Sequence, residues 1–187
     1  MRALALTLAA SAALVAACGG SSGEPQTAPP VSTSPASASS PSPAAAEVPE
    51  AAKAATSTGA EAFARFFYGQ VERAFATKDP GLISAISEPG CSSCDNFVRS
   101  ITKLRDNNER VDDLAFNVVL AVAPAVSGDT ARVDITWSSS TVAIRYDAAG
   151  KEIYRDGPYK RVDDEMKLVR RGDAWRVLEF KSLRRVT

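Results

Sequence analysis

The chain of 187 residues carries 22 basic and 22 acidic side chains, so its formal charge is zero and it offers no basic surface for tracking phosphates. It contains no histidine, which removes the Ser-His-Asp and Cys-His nucleophile designs, histidine zinc sites and the usual general base near neutral pH. Carboxylates, tyrosines and three cysteines are left to carry any chemistry, and no nucleic-acid partner, metal or cofactor is expected.

Residues 1–17 read as an export signal. Arg2 supplies the positive end, Ala3 to Leu14 are an uncharged and predominantly apolar run broken only by Thr7 and Ser11, and Val15-Ala16-Ala17 precede Cys18. The apolar run is too short for a membrane span, which needs about 20 residues. Val15-Ala16-Ala17-Cys18 resembles the lipobox of bacterial lipoproteins. The resemblance implies cleavage before Cys18, acylation of that cysteine and attachment to the extracytoplasmic face of the cell membrane, where two acyl chains make a stable anchor.

Residues 18–56 read as the lipidated cysteine and a tether. From Gly19 to Thr56 there are ten Ala, eight Ser, seven Pro and no aromatic residue, a composition with too little apolar surface to offset the entropy of ordering. As a flexible coil this segment spans about 35 Å, and fully extended about 120 Å.

Residues 57–187 contain all 13 aromatic residues and suffice for one core. Thr58-Gly59-Ala60-Glu61 fits a capping box, and Ala60, Phe63, Ala64, Phe67, Val71, Ala74 and Phe75 follow at helical spacing until Lys78-Asp79-Pro80-Gly81. Leu82, Ile83 and Ile86 suggest a short second helix. A third starts near Ser92 with Cys94, Phe97, Val98, Ile101 and Leu104 on its apolar face, and ends at Asn107-Asn108.

From Leu114 the period becomes two. Leu114, Phe116, Val118, Leu120 and Val122 alternate with their neighbours, and so do Ala131, Val133, Ile135 and Trp137. Val142 to Tyr146 and Glu152 to Tyr154 flank a turn, as do Val162 to Arg170 and Trp175 to Leu183. Helices followed by consecutive antiparallel strands predict an α+β domain.

This order, with Ala-Phe-Ala-Arg-Phe-Phe-Tyr in the first helix and the closing Arg170-Arg171-Gly172-Asp173-Ala174-Trp175 hairpin, resembles the nuclear transport factor 2-like (cystatin-like) cone. The layout of lipobox, tether and a domain bearing Glu88-Pro89-Gly90-Cys91-Ser92-Ser93-Cys94 resembles an uncharacterised family of actinobacterial lipoproteins. The cone resemblance implies helices packed on a curved antiparallel sheet. It does not select a function, because such folds serve isomerases, dehydratases, binding modules and dimerisation domains.

Three constellations carry functional expectations. Cys91 and Cys94 flank the start of the third helix, where a helix dipole favours a thiolate; the pair is either a structural disulfide or the centre of a thiol-disulfide oxidoreductase, and the structural role is favoured. Among Asp134, Asp164, Tyr68, Tyr146, Tyr154 and Tyr159, a buried acid with a tyrosine would suit an isomerase-type enzyme. Asp134 is expected to face solvent. Asp164 shares strand parity with Val162, Met166 and Leu168 but is expected to be exposed near a strand end. Finally, Tyr154, Asp156 and Tyr159, with Asp164, are candidate ligand or partner contacts. Of the aromatics, Phe63, Phe67, Trp137, Trp175 and Phe180 are expected mostly to build the core. The favoured function is a non-catalytic envelope module that binds a protein or small ligand, with a second copy of the chain as a candidate partner.

Overall fold

The computed structural model describes residues 47–187, so the signal segment and Cys18 lie outside the described residues. Helix α1 (Ser57–Thr77) is capped by Thr56, whose side-chain oxygen accepts from Gly59 N at 3.1 Å; the cap is therefore not Thr58, as the capping-box pattern predicted. One face of α1, comprising Ala60, Phe63, Ala64, Phe67, Tyr68, Val71 and Ala74, is buried. The helix ends at Lys78 in the left-handed conformation, and α2 (Gly81–Ser84) and α3 (Ser92–Asp106) follow.

The packed chain begins earlier than composition suggested. A single 3-10 turn (Glu50–Ala52) places Ala52 fully in the core, with Val48 packed against it. Trp175 Nε1 donates to Ala54 O at 2.8 Å, and Arg170 donates to Lys53 O at 2.6 Å. Gly59 permits this docking, since a Cβ there would lie 2.1 Å from Ala54 O. The stretch from Val48 to Thr56, read as tether, is thus part of the domain.

Among the described residues, eight strands form two antiparallel sheets. The larger joins β2 (Asn117–Val122), β4 (Thr130–Ser139), β7 (Tyr159–Arg171) and β8 (Ala174–Val186) in that order, with β3 (Val126–Ser127) paired to β4. The smaller joins β1 (Arg110–Asp112), β5 (Ala143–Tyr146) and β6 (Glu152–Asp156). Both predicted hairpins are present, but the first belongs to this separate sheet and is paired with β1, a strand too short to show a period.

Alternation sends Ala131, Val133, Ile135 and Trp137 of β4, and Val162, Asp164, Met166 and Leu168 of β7, to the helix-covered face. In β2 the alternation fails. A register shift between Val118 and Leu120 sends Ala121 inward and leaves Leu120 and Val122 exposed, reversing the expected parity. The opposite face of the large sheet carries interleaved charges, including Arg132 with Glu165 and Lys181 with Glu165. Such exposed pairs keep a face solvated and add little stability. The architecture of the described residues is α+β, with three helices packed against a curved antiparallel sheet.

Candidate functional site

The helices do not fill the space over the sheet. A cavity of about 370 Å³ remains, bounded by α1 and α3, the small sheet, the segment between β1 and β2, and strands β4, β7 and β8. That volume falls within the range of roughly 300–1,000 Å³ typical of ligand pockets. Its inner wall is apolar and buried, with Phe67, Tyr68, Val71, Leu104 and Trp137. Its outer end is polar and exposed, with Asn96, Tyr154, Ser182 and Arg185.

Asp164 lies in the inner wall at 2 % exposure. The expectation that it would be exposed is overturned because β7 is an interior strand. Asp164 sits opposite Ile135 on β4 and Ser182 on β8, and α1 covers it. Its Oδ2 accepts two hydrogen bonds, from Tyr68 Oη at 2.5 Å and from Trp137 Nε1 at 2.5 Å. Its Oδ1 is equally buried and has no hydrogen-bond partner among the described residues. A buried carboxylate oxygen left without a donor costs free energy, so it needs an explanation.

The partners of Asp164 come from far along the chain. Tyr68 is 96 residues away and Trp137 is 27. Burial first, and then the Asp164 carboxylate, push the Tyr68 hydroxyl well above the usual tyrosine range, so it stays protonated and serves as a donor. Around this pair the rings meet largely edge to face: Tyr68 and Phe116 at 5.2 Å, Phe116 and Trp137 at 4.8 Å, Trp137 and Tyr159 at 5.7 Å.

Tyr154, Asp156, Tyr159 and Asp164 all line this one cavity. The Tyr159 hydroxyl donates to Asp156, and Arg185 lies over the Tyr159 ring. Of the five aromatics expected in the core, Phe63 and Trp175 are core residues away from the cavity, whereas Phe67, Trp137 and Phe180 line it. Asp134 is part-exposed beside Arg132, and Tyr146 lies under Arg110 outside the cavity. Phe116, Ser182 and Arg185, which also line it, carried no distinguishing signal in the sequence.

Cys91 and Cys94 are joined by a disulfide at the start of α3, where Cys91 caps the helix. At 1 % and 2 % exposure they lie in the core and not on the cavity wall. The bond staples the first turn of α3, whose Ser93 hydroxyl donates to Phe180 O.

Tyr159, on the cavity wall, starts β7, while Lys53 is held by Arg170 near the other end of that strand. Eleven residues of strand separate the two points by up to about 36 Å. Lys53 therefore docks near the end of β7 distant from Tyr159.

Fold and site together define an α+β cone whose helices and sheet enclose an aromatic cavity with a buried carboxylate. Residues 31–181 match the model of DUF6318, a family of unknown function, and the chain belongs to that family. No curated protein matches the sequence. Among solved structures, the intermembrane-space region of the chloroplast protein ARC6 is similar at 11 % identity and a TM-score of 0.52, over 68 % of this chain and 95 % of that one. An uncharacterised cystatin-like protein from Caulobacter vibrioides aligns at 16 % identity, TM-score 0.41, over 69 % and 92 %. A putative dehydratase of the NTF2-like family from Streptomyces avermitilis aligns at 15 % identity, TM-score 0.41, over 64 % and 92 %. At these identities the likeness concerns the fold alone.

Proposed function

We propose that this protein is an extracytoplasmic lipoprotein of an actinobacterial envelope whose domain captures a small, largely apolar molecule in the cavity at Asp164. The observation that carries the binding role is the unpartnered, buried Oδ1 of a carboxylate set in an aromatic wall. A ligand bearing one hydrogen-bond donor would complete that oxygen, while the rings would bury the remainder. The lipobox supports anchorage through Cys18, and the Ala/Ser/Pro-rich segment supports a spacer.

Two measurements test the two halves. Replacing Cys18 by Ala is expected to move the protein from the membrane fraction to the soluble one; retention in the membrane would defeat the anchor. Purified protein is expected to bind the neutral dye N-phenyl-1-naphthylamine saturably at one site, with fluorescence enhancement. Enhancement without saturation would count against a built cavity.

The Asp164 and Tyr68 pair also favours a second reading, an isomerase-type enzyme in which the carboxylate moves a proton inside an apolar pocket. It predicts Asp164-dependent deuterium exchange at an acidic carbon of a bound ketone. The disulfide supports an oxidoreductase less well, because both cysteines are buried in the core.

A further inference from the structure

We infer that the molecule taken by this cavity is an organic ammonium ion, an amine carrying an N–H on an apolar, ring-sized body. This rests on the binding role proposed above and names its ligand class.

Two features of the site carry the inference, and the first is charge. Asp164 is a buried carboxylate, yet no basic side chain among the described residues lies within ion-pair distance of it. Buried charges are ordinarily paired. The two arginines on the cavity wall are engaged elsewhere: Arg145 pairs with Glu109, and Arg185 lies over Tyr159 at the exposed end. Tyr68 and Trp137 are both donors, and both are spent on Oδ2. Oδ1 therefore still lacks a donor, and the site as a whole lacks a positive charge. One N–H of an ammonium group supplies both. A quaternary ammonium would supply the charge without the donor, and an alcohol the donor without the charge.

The second feature is the wall itself. Tyr68 and Trp137 touch Asp164, and Phe116 and Tyr159 pack against them along the same cavity. Such a wall keeps water from the carboxylate, which strengthens its attraction for a bound cation, and leaves apolar surface to bury the ligand's body.

Three probes on one phenyl body decide the matter: the isosteric 2-phenylethylamine and 2-phenylethanol, and the slightly larger ketone phenylacetone, titrated calorimetrically into the protein at pH 7, where the amine is protonated. The amine is expected to bind roughly ten- to a hundredfold tighter than the alcohol. Asp164→Asn is expected to abolish that preference by weakening the amine the most. Ser182→Trp, on the exposed stretch of β8 directly opposite Asp164, is expected to fill the cavity and block all three. Equal affinity for amine and alcohol, or a preference for the ketone, overturns the ammonium inference and leaves the cavity as a binding site for neutral molecules. Silence of all three probes overturns both. Binding that survives Ser182→Trp places the site elsewhere and overturns the inference as well. If Asp164→Asn does not fold, the amine-to-alcohol ratio of the unsubstituted protein and the Ser182→Trp result still decide.

Discussion

Replacing Asp164 by Asn should make the protein more stable. Withdrawing a carboxylate from water costs several kcal/mol, and here no cation among the described residues offsets it. The two hydrogen bonds to Oδ2 return about 1.5–3 kcal/mol each while the acceptor is charged, and about 0.5–1.5 kcal/mol each once it is an amide carbonyl. The substitution therefore gives up about 2 kcal/mol of hydrogen bonding and removes a larger desolvation cost. At Oδ1 one unpartnered polar group replaces another, so that position is nearly neutral. The net expectation is a gain of about 1–2 kcal/mol, or about 3–8 °C in Tm for a domain of this size. Urea denaturation followed by tryptophan fluorescence, together with calorimetry, measures both quantities. A loss of 1 kcal/mol or more would refute the reasoning, because the charge would then be a structural anchor for Tyr68 and Trp137 and not a group retained for a ligand at the expense of stability.

Three further outcomes are expected. Cys91→Ser with Cys94→Ser should lower stability by about 2 kcal/mol for so short a loop, read from urea midpoints; the native disulfide should also resist reduction by a dithiol until the protein unfolds, and rapid reduction of the folded protein would contradict its burial. Tyr68 should not ionise in an alkaline ultraviolet titration of the folded protein. Because its folded-state pKa is raised, its contribution to stability is intact below about pH 10 and is lost as pH rises further, since only the unfolded chain then releases the proton. Removing residues 47–56 should cost about 2–4 kcal/mol, because the Trp175 and Arg170 hydrogen bonds to this segment are lost; unchanged thermal stability after that deletion would return the segment to the tether.

Periodicity revealed most of the framework, because α1 and strands β4 and β7 each bury one complete face. It failed where local and long-range forces part company. The bulge in β2 reversed a parity that alternation alone could not flag. The segment from Val48 to Thr56 has the composition of a linker, yet Gly59 and Trp175 give it a docking surface. Asp164 lay on the right face by parity, but its burial depends on β4 and β8 on either side and on Tyr68 some 96 residues away. A short-range pattern contains no record of such pairing. The cavity was equally invisible, since it is the space that the side chains of separate elements leave between them.

The two tryptophans allow the most direct test of the central claim, that the cavity at Asp164 binds a ligand. Trp137 donates to Asp164 inside the cavity, whereas Trp175 is buried off the cavity wall and donates to Ala54. In a nitrogen-15 correlation spectrum each contributes one indole N–H signal, and 2-phenylethylamine can be titrated against both. The account predicts that the Trp137 signal shifts saturably while the Trp175 signal stays in place. A Trp137 signal that remains fixed up to saturating amine would contradict it.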